Sequence, residues 1–403
     1  MTIIKRKRYL DKLNIVKDKP IIKVITGQRR VGKSCLLRSF INELKTKKIP
    51  QKNIIYINKE DLAFDKIRNF RDLDYYIISQ TKKSNPKKKI YLLIDEVQEI
   101  DQFEKVVRSY ALREDFDIYI SGSNSKIVSS ELSTFLSGRY VEIYVSPLTY
   151  DEFLIFAGLT NDQEVLKKYL RYGGMPFIHK MPLNDELVFT YAKNVYNTIL
   201  LKDIVEKFEI RNVDFLKKLV LFLSNNIGYP FSANSISRYL KSDNIDLAPS
   251  VIIEYLEALR SSYFLHKVQR FDLAGKKIFK TNAKYYFNDL GIINAIAGGW
   301  RENSIGQLIE NVIFLHLLAR GYEVFVGKMG NKEIDFVVRK NQVIKYFQVA
   351  LTVYNQKTYQ REFGNLAQIK DNYEKYVITM DEVVNDFKGV KGITLNDFLL
   401  KFK

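Results

Sequence analysis

The chain has 403 residues, of which 46% are hydrophobic, so we expect two or three domains that each bury a core. No apolar stretch approaches the length of a membrane span, the N-terminal residues do not form a secretory signal, and a single cysteine excludes internal disulfides. These features predict a cytoplasmic protein without membrane attachment. The formal charge of +18 favours a polyanion as a partner, although solvated lysine-rich surfaces give the same excess.

A glycine-rich segment at 27–34 is the first motif. Its sequence, GQRRVGKS, fits the phosphate-binding pattern G-x-x-x-x-G-K-[ST] and lies between a predicted strand and a predicted helix. In this order, backbone N–H groups and the positive end of the helix dipole can meet a phosphate group. We expect Lys33 to contact the β- and γ-phosphates of ATP and Ser34 to hold Mg²⁺. Cys35 follows directly and is predicted to be a small, packed residue.

A strand predicted at 90–94 ends in two acids. Its five consecutive apolar residues indicate burial on both faces of a parallel sheet, and Asp95 and Glu96 follow at the edge where such strands meet ligands. We expect Asp95 to act on Mg²⁺ from the outer coordination sphere and Glu96 to polarise the attacking water. A single acid after a buried strand is common, whereas a pair of acids downstream of a P-loop indicates hydrolysis.

Three further strands are predicted at 53–57, 117–121 and 140–145. Only the first lies between the P-loop strand and the acidic strand in sequence. That is the AAA+-like order, which places the strand ending at Ser121 between those two in space. Ser121 and the polar residues after it would then sense the γ-phosphate, and a plain turn is an equally good interpretation. The predicted nucleotide-binding residues are Gly27, Gln28, Arg29, Arg30, Val31, Gly32, Lys33, Ser34, Cys35 and Ser121.

Seven segments together resemble a known family. They read GQRRVGKS, LLIDEVQEI, SGSNS, LSGRYVEIYVSPLTYDEF, YLRYGGMP, GQLIENVIFLHL and KEIDFVV. Over nearly its whole length the chain resembles the bacterial and archaeal ATPases that join an AAA-type P-loop domain to a C-terminal domain of unknown function, DUF4143. The resemblance implies that Arg139 is an arginine finger or sensor for the nucleotide of a neighbouring subunit, in a homo-oligomer such as a hexameric ring. A surface arginine that caps the preceding helix is the alternative.

The middle of the chain predicts a helical lid followed by a winged helix-turn-helix. Thr149 fits the N-cap of the first lid helix. Later helical patterns lie at 213–226, 231–240 and 249–259, before two strand-like runs joined by a basic turn. Residues 250–260 would enter a DNA groove. The candidate phosphate contacts are Lys276, Lys277 and Lys280. Glu254 and Glu257 disfavour a phosphate-lined groove, so contact with a protein is an equal alternative.

The C-terminal part resembles the core of PD-(D/E)XK nucleases in its order of acids. Glu310 lies on a predicted helix, Asp335 on a strand and Gln348 on the strand after it. In such cores the acids hold Mg²⁺ and a lysine stabilises charge on the phosphate. Here Gln348 replaces the last acid and Ala350 replaces the lysine. The candidate substitutes for this lysine are Lys328 and Lys345. We therefore predict a DNA-binding or docking domain without cleavage.

These patterns together predict an α/β protein with four parts. They are an AAA+-like P-loop NTPase core at 1–147, a helical lid at 148–208, a winged helix-turn-helix at 209–300 and a restriction-endonuclease-like α/β domain at 301–403. The predicted function is Mg²⁺-dependent ATP hydrolysis coupled to DNA, with Lys33, Glu96 and Arg139 as catalytic residues. A nucleotide-controlled switch that binds a protein is the first alternative. An ATP-coupled nuclease is the second, against which the missing lysine counts.

Overall fold

The structure is a computed structural model that describes residues 4–125, 138–242, 247–275 and 277–402. The chain divides into two compact units. The N-terminal unit comprises Met1–Val145 and Ser261–Tyr263, and the C-terminal unit comprises Ser146–Arg260 and Phe264–Lys403. Within the described ranges, no helix is both long and apolar enough to cross a membrane.

The N-terminal unit is built on a parallel sheet of five strands in the order β2-β3-β4-β1-β5. The strands are β1 (Ile22–Thr26), β2 (Ile54–Asn58), β3 (Ile90–Asp95), β4 (Phe116–Gly122) and β5 (Tyr140–Tyr144). The helices described in this unit are α1 (Lys7–Val16), α2 (Lys33–Thr46), α3 (Phe70–Thr81) and α4 (Phe103–Ala111). Every residue of β1, β3 and β4 is buried, as expected for the centre of a parallel sheet covered on both faces.

The strand order confirms the predicted AAA+-like arrangement. β4, which carries Ser121, pairs with β3 on one side and with β1 on the other. Because all these strands are parallel, the P-loop after β1, the acids at the end of β3 and Ser121 meet at one edge of the sheet. The fold thus brings together residues that are separated by up to 95 positions in sequence, from Gly27 to Ser121 and Gly122.

The C-terminal unit begins with the helical segment predicted as a lid. Its first helices are α5 (Tyr150–Ala157), α6 (Gln163–Tyr172) and α7 (Asp185–Thr198), and α7 continues into a π-helical segment, Ile199–Glu206. Thr149 is the N-cap of α5, as predicted, and its backbone N–H donates to Glu152 Oε2 at 3.2 Å. The chain turns after α6 at two glycines: a Cβ atom on Gly174 would lie 2.4 Å from Leu148 O. Only glycine fits this close approach of two backbone segments.

Three helices and a hairpin follow in the predicted order. They are α8 (Val213–Asn225), α9 (Ala233–Ser242), α10 (Pro249–Ser261), β6 (Leu265–Asp272) and β7 (Lys277–Phe287). The hairpin forms one edge of a seven-stranded mixed sheet, β12-β11-β10-β9-β8-β6-β7. The boundary predicted near residue 300 therefore falls inside one sheet, because a hairpin with an unpaired edge can recruit a distant strand in a way that local patterns do not reveal.

The rest of this unit completes the sheet and covers it with helices. The remaining elements are α11 (Leu290–Ile296), α12 (Ile305–Ala319), β8 (Glu323–Met329), β9 (Lys332–Lys340), β10 (Val343–Ala350), α13 (Gln356–Ala367), β11 (Glu374–Thr379), β12 (Lys391–Thr394) and α14 (Leu395–Lys401). One apolar cluster includes Ile334, Val337, Tyr346, Phe363, Leu366 and Val377, from β9, β10, α13 and β11. This packing fixes β9 and β10, which carry Asp335 and Gln348.

Candidate nucleotide site

The P-loop has the backbone that phosphate binding requires. Gly27 and Gly32 have positive φ angles of +141° and +96°, and a Cβ atom on Gly27 would lie only 2.3 Å from Val145 O. α2 begins at Lys33, directly after Gly32, so its first N–H groups point toward the loop. Arg6 supports the loop from outside, since its Nη1 donates to Val31 O at 3.2 Å. The sequence analysis did not identify Arg6, because nothing in a basic N-terminal run marks one arginine as buried.

Lys33 lies in direct contact with the predicted water-activating residue. Its Nζ atom donates to Gly27 O at 3.0 Å and Gln28 O at 3.2 Å, and it lies 3.5 Å from Glu96 Oε1. Both Lys33 and Glu96 are buried. The structure therefore places the two predicted catalytic side chains of this edge in one cluster.

Ser121 joins the two acids of β3. Its hydroxyl donates to Asp95 Oδ1 and accepts from the backbone N–H of Glu96 at 3.2 Å. One hydroxyl can make both bonds because it has a donor and two acceptor lone pairs. Ser121 thus fixes the carboxylate of Asp95 and the backbone of Glu96. Its contact with a phosphate stays a prediction.

Two residues that the sequence analysis missed also hold the acids. Tyr56, on β2, donates its hydroxyl to Asp95 Oδ2 at 3.1 Å, and burial together with the charge of Asp95 raises the pKa of Tyr56, so the hydroxyl keeps its proton. Gln98 donates its Nε2 to Glu96 Oε2 at 2.6 Å. Glu96 itself has a φ angle of +54°, a conformation that costs a non-glycine residue about 1–3 kcal/mol. Such strain is typical of functional positions.

These residues fit a Mg²⁺ nucleoside triphosphate. Phosphates require positive charge and hydrogen-bond donors, which come from the glycine loop, the start of a 14-residue helix and a lysine. Mg²⁺ requires oxygen ligands, which come from a hydroxyl and a fully buried carboxylate. Lys33 and the loop N–H groups would hold the phosphates, and Ser34 and Asp95 would hold Mg²⁺. Bound nucleotide would bring the phosphoanhydride bond that water attacks.

Other predicted residues of the loop point away from this cluster. Arg29 pairs with Glu60 at 3.3 Å between Nη1 and Oε1, and Arg30 is exposed with a φ angle of +71°. Cys35 is exposed, so the prediction that it is packed was wrong. The apolar face of α2 is formed by residues such as Leu36, Leu37 and Phe40, which leaves Cys35 on the opposite side of the helix.

Arg139 lies at the end of the N-terminal sheet where the strands begin, opposite to the end that carries the P-loop. It directly precedes β5 and is exposed, and its backbone O accepts from Ile22 N at 2.9 Å, at the start of β1. The P-loop follows the end of β1, which is roughly 15 Å away along a five-residue strand. Arg139 is therefore not part of the Lys33 cluster of its own chain. Ser137, the residue before the Gly138-Arg139 pair, lies outside the described residues.

The structure brings two of the nuclease-like residues to one lysine that the sequence analysis did not name. Lys284 Nζ lies 2.9 Å from Glu310 Oε1 and 3.8 Å from Asp335 Oδ1. Gln348 is buried next to them on β10, and its Oε1 has no hydrogen-bond partner among the described residues. The predicted substitutes are elsewhere: Lys345 pairs with Glu374, and Lys328 lies over the ring of Phe279. The prediction that Lys345 or Lys328 replaces the missing lysine was therefore wrong. Lys284 lies at this site instead, because β7 reaches it through the pairing of distant strands.

The DNA-contact candidates are only partly visible. Lys277 is exposed at the start of β7, whereas Lys276 and the side chain of Lys280 lie outside the described part of the chain. The solvent face of α10 carries Ile253, Glu254, Glu257 and Arg260. Arg260 pairs with Glu257 on this face. The face that was predicted to enter a DNA groove therefore carries two acids, one of them paired with an arginine, and one exposed apolar side chain.

Comparison with known proteins identifies the family. A family model described as an AAA domain matches residues 19–154, and a model of a domain of unknown function, DUF8612, matches residues 163–302. The latter is not DUF4143, the domain named by the sequence resemblance. An uncharacterised protein of Haemophilus influenzae is 36% identical over 99% of both chains. The uncharacterised protein MJ1544 of Methanocaldococcus jannaschii is 30% identical over 93% of this chain and 85% of its own.

A solved structure shares the fold. The Walker-type ATPase PABY2304 of Pyrococcus abyssi aligns with a TM-score of 0.50 and 17% identity, over 73% of this chain and 96% of its own. The P-loop cluster, the strand order and the match to the AAA domain agree with one another. The chain belongs to the same family as the Haemophilus and Methanocaldococcus proteins, an AAA-type P-loop ATPase family.

Proposed function

We propose that this protein hydrolyses ATP with Mg²⁺ at the edge of the N-terminal sheet. The observation that carries the proposal is the cluster of Lys33, Asp95, Glu96 and Ser121. These four side chains meet where three neighbouring strands, β1, β3 and β4, end. Lys33 binds the phosphates, Glu96 orients a water and accepts its proton, and Ser121 holds the Asp95 carboxylate and the Glu96 backbone in place. The fixed donors and the strained Glu96 backbone are arranged before substrate binds.

The test is the turnover of ATP by Glu96→Gln and Lys33→Ala proteins. Glu96→Gln should retain ATP and hydrolyse it about a hundredfold more slowly or worse, because a positioned base contributes about that much to rate. Lys33→Ala should lose binding as well. Glu99→Gln is the matched control, since Glu99 is exposed on the same short turn and should leave turnover unchanged. Normal turnover by the Glu96→Gln protein would contradict the assignment.

We infer further that Arg139 completes the site of a neighbouring subunit in a homo-oligomer such as a hexameric ring. Arg139 lies at the end of its own sheet that is remote from the P-loop, and this position supports action in trans. Mixing Arg139→Ala protein with Glu96→Gln protein should restore part of the activity, because some interfaces then pair an intact Glu96 with an intact Arg139. Turnover that is independent of protein concentration, in a protein that light scattering finds monomeric, would contradict this inference.

For the C-terminal unit we propose a DNA-binding role, with residues 209–300 as a winged helix-turn-helix and 301–403 as an inactive nuclease-like domain. The order of three helices and a hairpin, the order α12, β8, β9 and β10, and the charge of +18 support it. Binding to duplex, single-stranded and branched DNA should weaken steeply with salt, because released counterions dominate such binding. These DNAs should also change the ATPase rate. Absence of binding at low salt would exclude the proposal.

The solvent face of α10 favours a second candidate, a nucleotide-controlled switch that binds a protein. Ile253 is 57% exposed and is followed on the same face by Glu254 and Glu257. An exposed apolar side chain near carboxylates suits contact with a protein better than a phosphate-lined groove. Substituting Glu254 and Glu257 by Gln distinguishes the two. DNA affinity should rise in the double variant if α10 contacts DNA, because two repulsive charges are removed.

A further inference from the structure

A buried lysine in the C-terminal unit is surrounded by three carboxylates. The side chain of Lys284 is only 2% exposed, and its Nζ atom lies 2.9 Å from Glu310 Oε1, 2.9 Å from Glu333 Oε1 and 3.8 Å from Asp335 Oδ1. Burial alone lowers the pKa of Lys284, but the charges of Glu310, Asp335 and Glu333 raise it above its ordinary value, so the ammonium stays charged. Nothing in the sequence connects Lys284 with these acids, which are 26 to 51 positions away.

The fold fixes this group from three elements. Lys284 and Tyr286 are two residues apart on β7 and therefore lie on the same face of the strand. The Tyr286 hydroxyl donates to Glu310 Oε1 at 2.5 Å. Glu333 and Asp335 share a face of β9, and Asp335 Oδ2 accepts from Val349 N at 2.8 Å. Glu310 extends from α12. Each carboxylate is therefore held by a strand or a helix rather than by a loop.

The other side of Glu310 is covered by the chain. Gly228 has a φ angle of +78°, and a Cβ atom there would lie 2.6 Å from Glu310 Oε2. The turn after α8 thus lies against the second oxygen of the carboxylate. A phosphodiester cannot reach Glu310 from this side without moving that turn, because protein interiors are close-packed.

A divalent cation does not fit the cluster as it stands. Mg²⁺ and Ca²⁺ need several oxygens at about 2.0–2.6 Å from one point. Here Lys284 Nζ occupies the space between the carboxylates, at hydrogen-bond distance from Glu310 and Glu333. Oxygens of Glu310 and Asp335 already accept hydrogen bonds from the Tyr286 hydroxyl and the Val349 N–H. In the part of the chain that the structure describes, no group of three or more His, Cys, Asp or Glu has the geometry to hold a metal ion.

We propose that the Lys284 ammonium replaces the divalent cation of a nuclease-like site and closes that site to metal and to phosphodiester cleavage. The three carboxyl groups, which repel one another when they are ionised, are neutralised in part by one internal cation, and Arg270 Nη2 adds a second positive charge 3.7 Å from Glu333 Oε2. Lys284 is bound by these acids and is not available to neutralise a phosphate. This inference deepens the proposed inactive nuclease-like domain and is independent of ATP hydrolysis at the P-loop.

Mn²⁺ binding to the full-length protein without nucleotide tests the proposal. Wild type and Asp335→Asn should give the same Mn²⁺ titration by calorimetry and by electron paramagnetic resonance, because wild type has no site that depends on Asp335. Lys284→Met removes the charge but keeps the length of the side chain. It should gain one Mn²⁺ per chain, bound at least about tenfold more tightly than by wild type, and its melting temperature should rise with Mn²⁺.

Three further variants make the result decisive. The gained site should disappear in Lys284→Met/Asp335→Asn, and Lys284→Arg, which keeps the charge, should not gain it. Lys345→Met, which breaks the pair with Glu374 elsewhere in the unit, controls for the loss of any lysine. A folded Lys284→Met protein without the new site would overturn the proposal.

The wild-type arm decides the question if Lys284→Met fails to fold. Mn²⁺ binding by wild type that is lost in Asp335→Asn, or Mn²⁺-dependent cutting of linear, circular or branched DNA that is lost in this variant, would overturn the proposal. Identical titrations and no cutting would support it. None of these measurements uses ATP, so their outcome does not depend on whether the proposed ATPase activity is correct.

Discussion

Each unit of this protein buries a lysine next to carboxylates, and the two lysines differ in what surrounds them. Lys33 donates to two backbone carbonyls and lies 3.5 Å from one carboxylate, at the start of a helix. Lys284 lies within 4 Å of three carboxylates that a helix and a strand hold in place. The first lysine has neutral partners that it can leave for a phosphate. The second has charged partners that cannot be left unneutralised.

Burial of a lysine therefore does not by itself indicate function. Removing one partner from a buried ion pair leaves a charge without compensation, which is costly, whereas a carbonyl that loses a donor next to a ligand site can bind water. The number of fixed charges around the ammonium therefore separates a lysine that binds ligands from one that holds a fold together.

The largest effect is expected for Lys284. Lys284→Met should lower the free energy of unfolding of the C-terminal unit by about 3–5 kcal/mol, because Glu310 and Glu333 lose their buried counter-ion. Fluorescence of Trp300, the single tryptophan of the chain, reports on this unit during urea unfolding. Lys33→Ala should leave that transition unchanged and remove nucleotide binding. Equal transitions for wild type and Lys284→Met would contradict the role of Lys284 as a structural cation.

A smaller effect is expected for Tyr56, which separates positioning from catalysis at the P-loop site. Tyr56→Phe removes one hydrogen bond to the Asp95 carboxylate, a bond to a charged group worth about 1.5–3 kcal/mol. We expect turnover to fall and half-saturation to require more Mg²⁺, while saturating Mg²⁺ restores much of the rate. Tyr75→Phe is the control, since Tyr75 is exposed on α3. A lower rate with unchanged Mg²⁺ dependence would show that Tyr56 does not act through Asp95.

The smallest effect is expected in the dependence of stability on pH. Burial and the charge of Glu310 raise the pKa of Asp335 above its ordinary value of 3.8. The folded protein then keeps a proton that the unfolded chain has lost, so this group contributes stability below the ordinary pKa, and the contribution is lost as the pH rises toward the raised pKa. Asp335→Asn should flatten this decline in the free energy of unfolding, measured with Trp300 from about pH 4 to pH 8.

Among the described residues, three other groups with shifted pKa values titrate in the same range, so the quantity to measure is the difference in free energy of unfolding between the proteins. Burial raises the pKa of Asp289 to about 6 and lowers the pKa of His179 and of His266 to about 4. These groups are present in wild type and in Asp335→Asn and cancel in the comparison. Asp397→Asn, which alters an exposed pair with Lys401, should leave the decline as in wild type. The same slope in all three proteins would contradict a raised pKa of Asp335.

The residues of the P-loop cluster could be predicted from local sequence patterns. The glycine loop, Lys33 and Ser34 are contiguous, and Asp95 and Glu96 end a run of apolar residues that only a buried strand explains. Chain order alone predicted that the strand of Ser121 lies next to both, and the sheet confirms it. The strand order was predictable because it is common to parallel sheets with nucleotide loops, and the roles of the individual residues stay predictions.

The side chains that hold these groups could not be predicted before the pairing of the strands was known. Tyr56 reaches Asp95 because β2 pairs with β3, and Lys284 reaches Glu310 and Asp335 because the hairpin joins the C-terminal sheet through β6 and β8. Periodicity gives the buried face of a strand but not its neighbour in the sheet. A charged or hydroxyl side chain meets its partner only when strands from distant parts of the chain pair with each other. That pairing gives Lys284 three acidic neighbours, whereas Lys33 keeps mostly backbone carbonyls as partners.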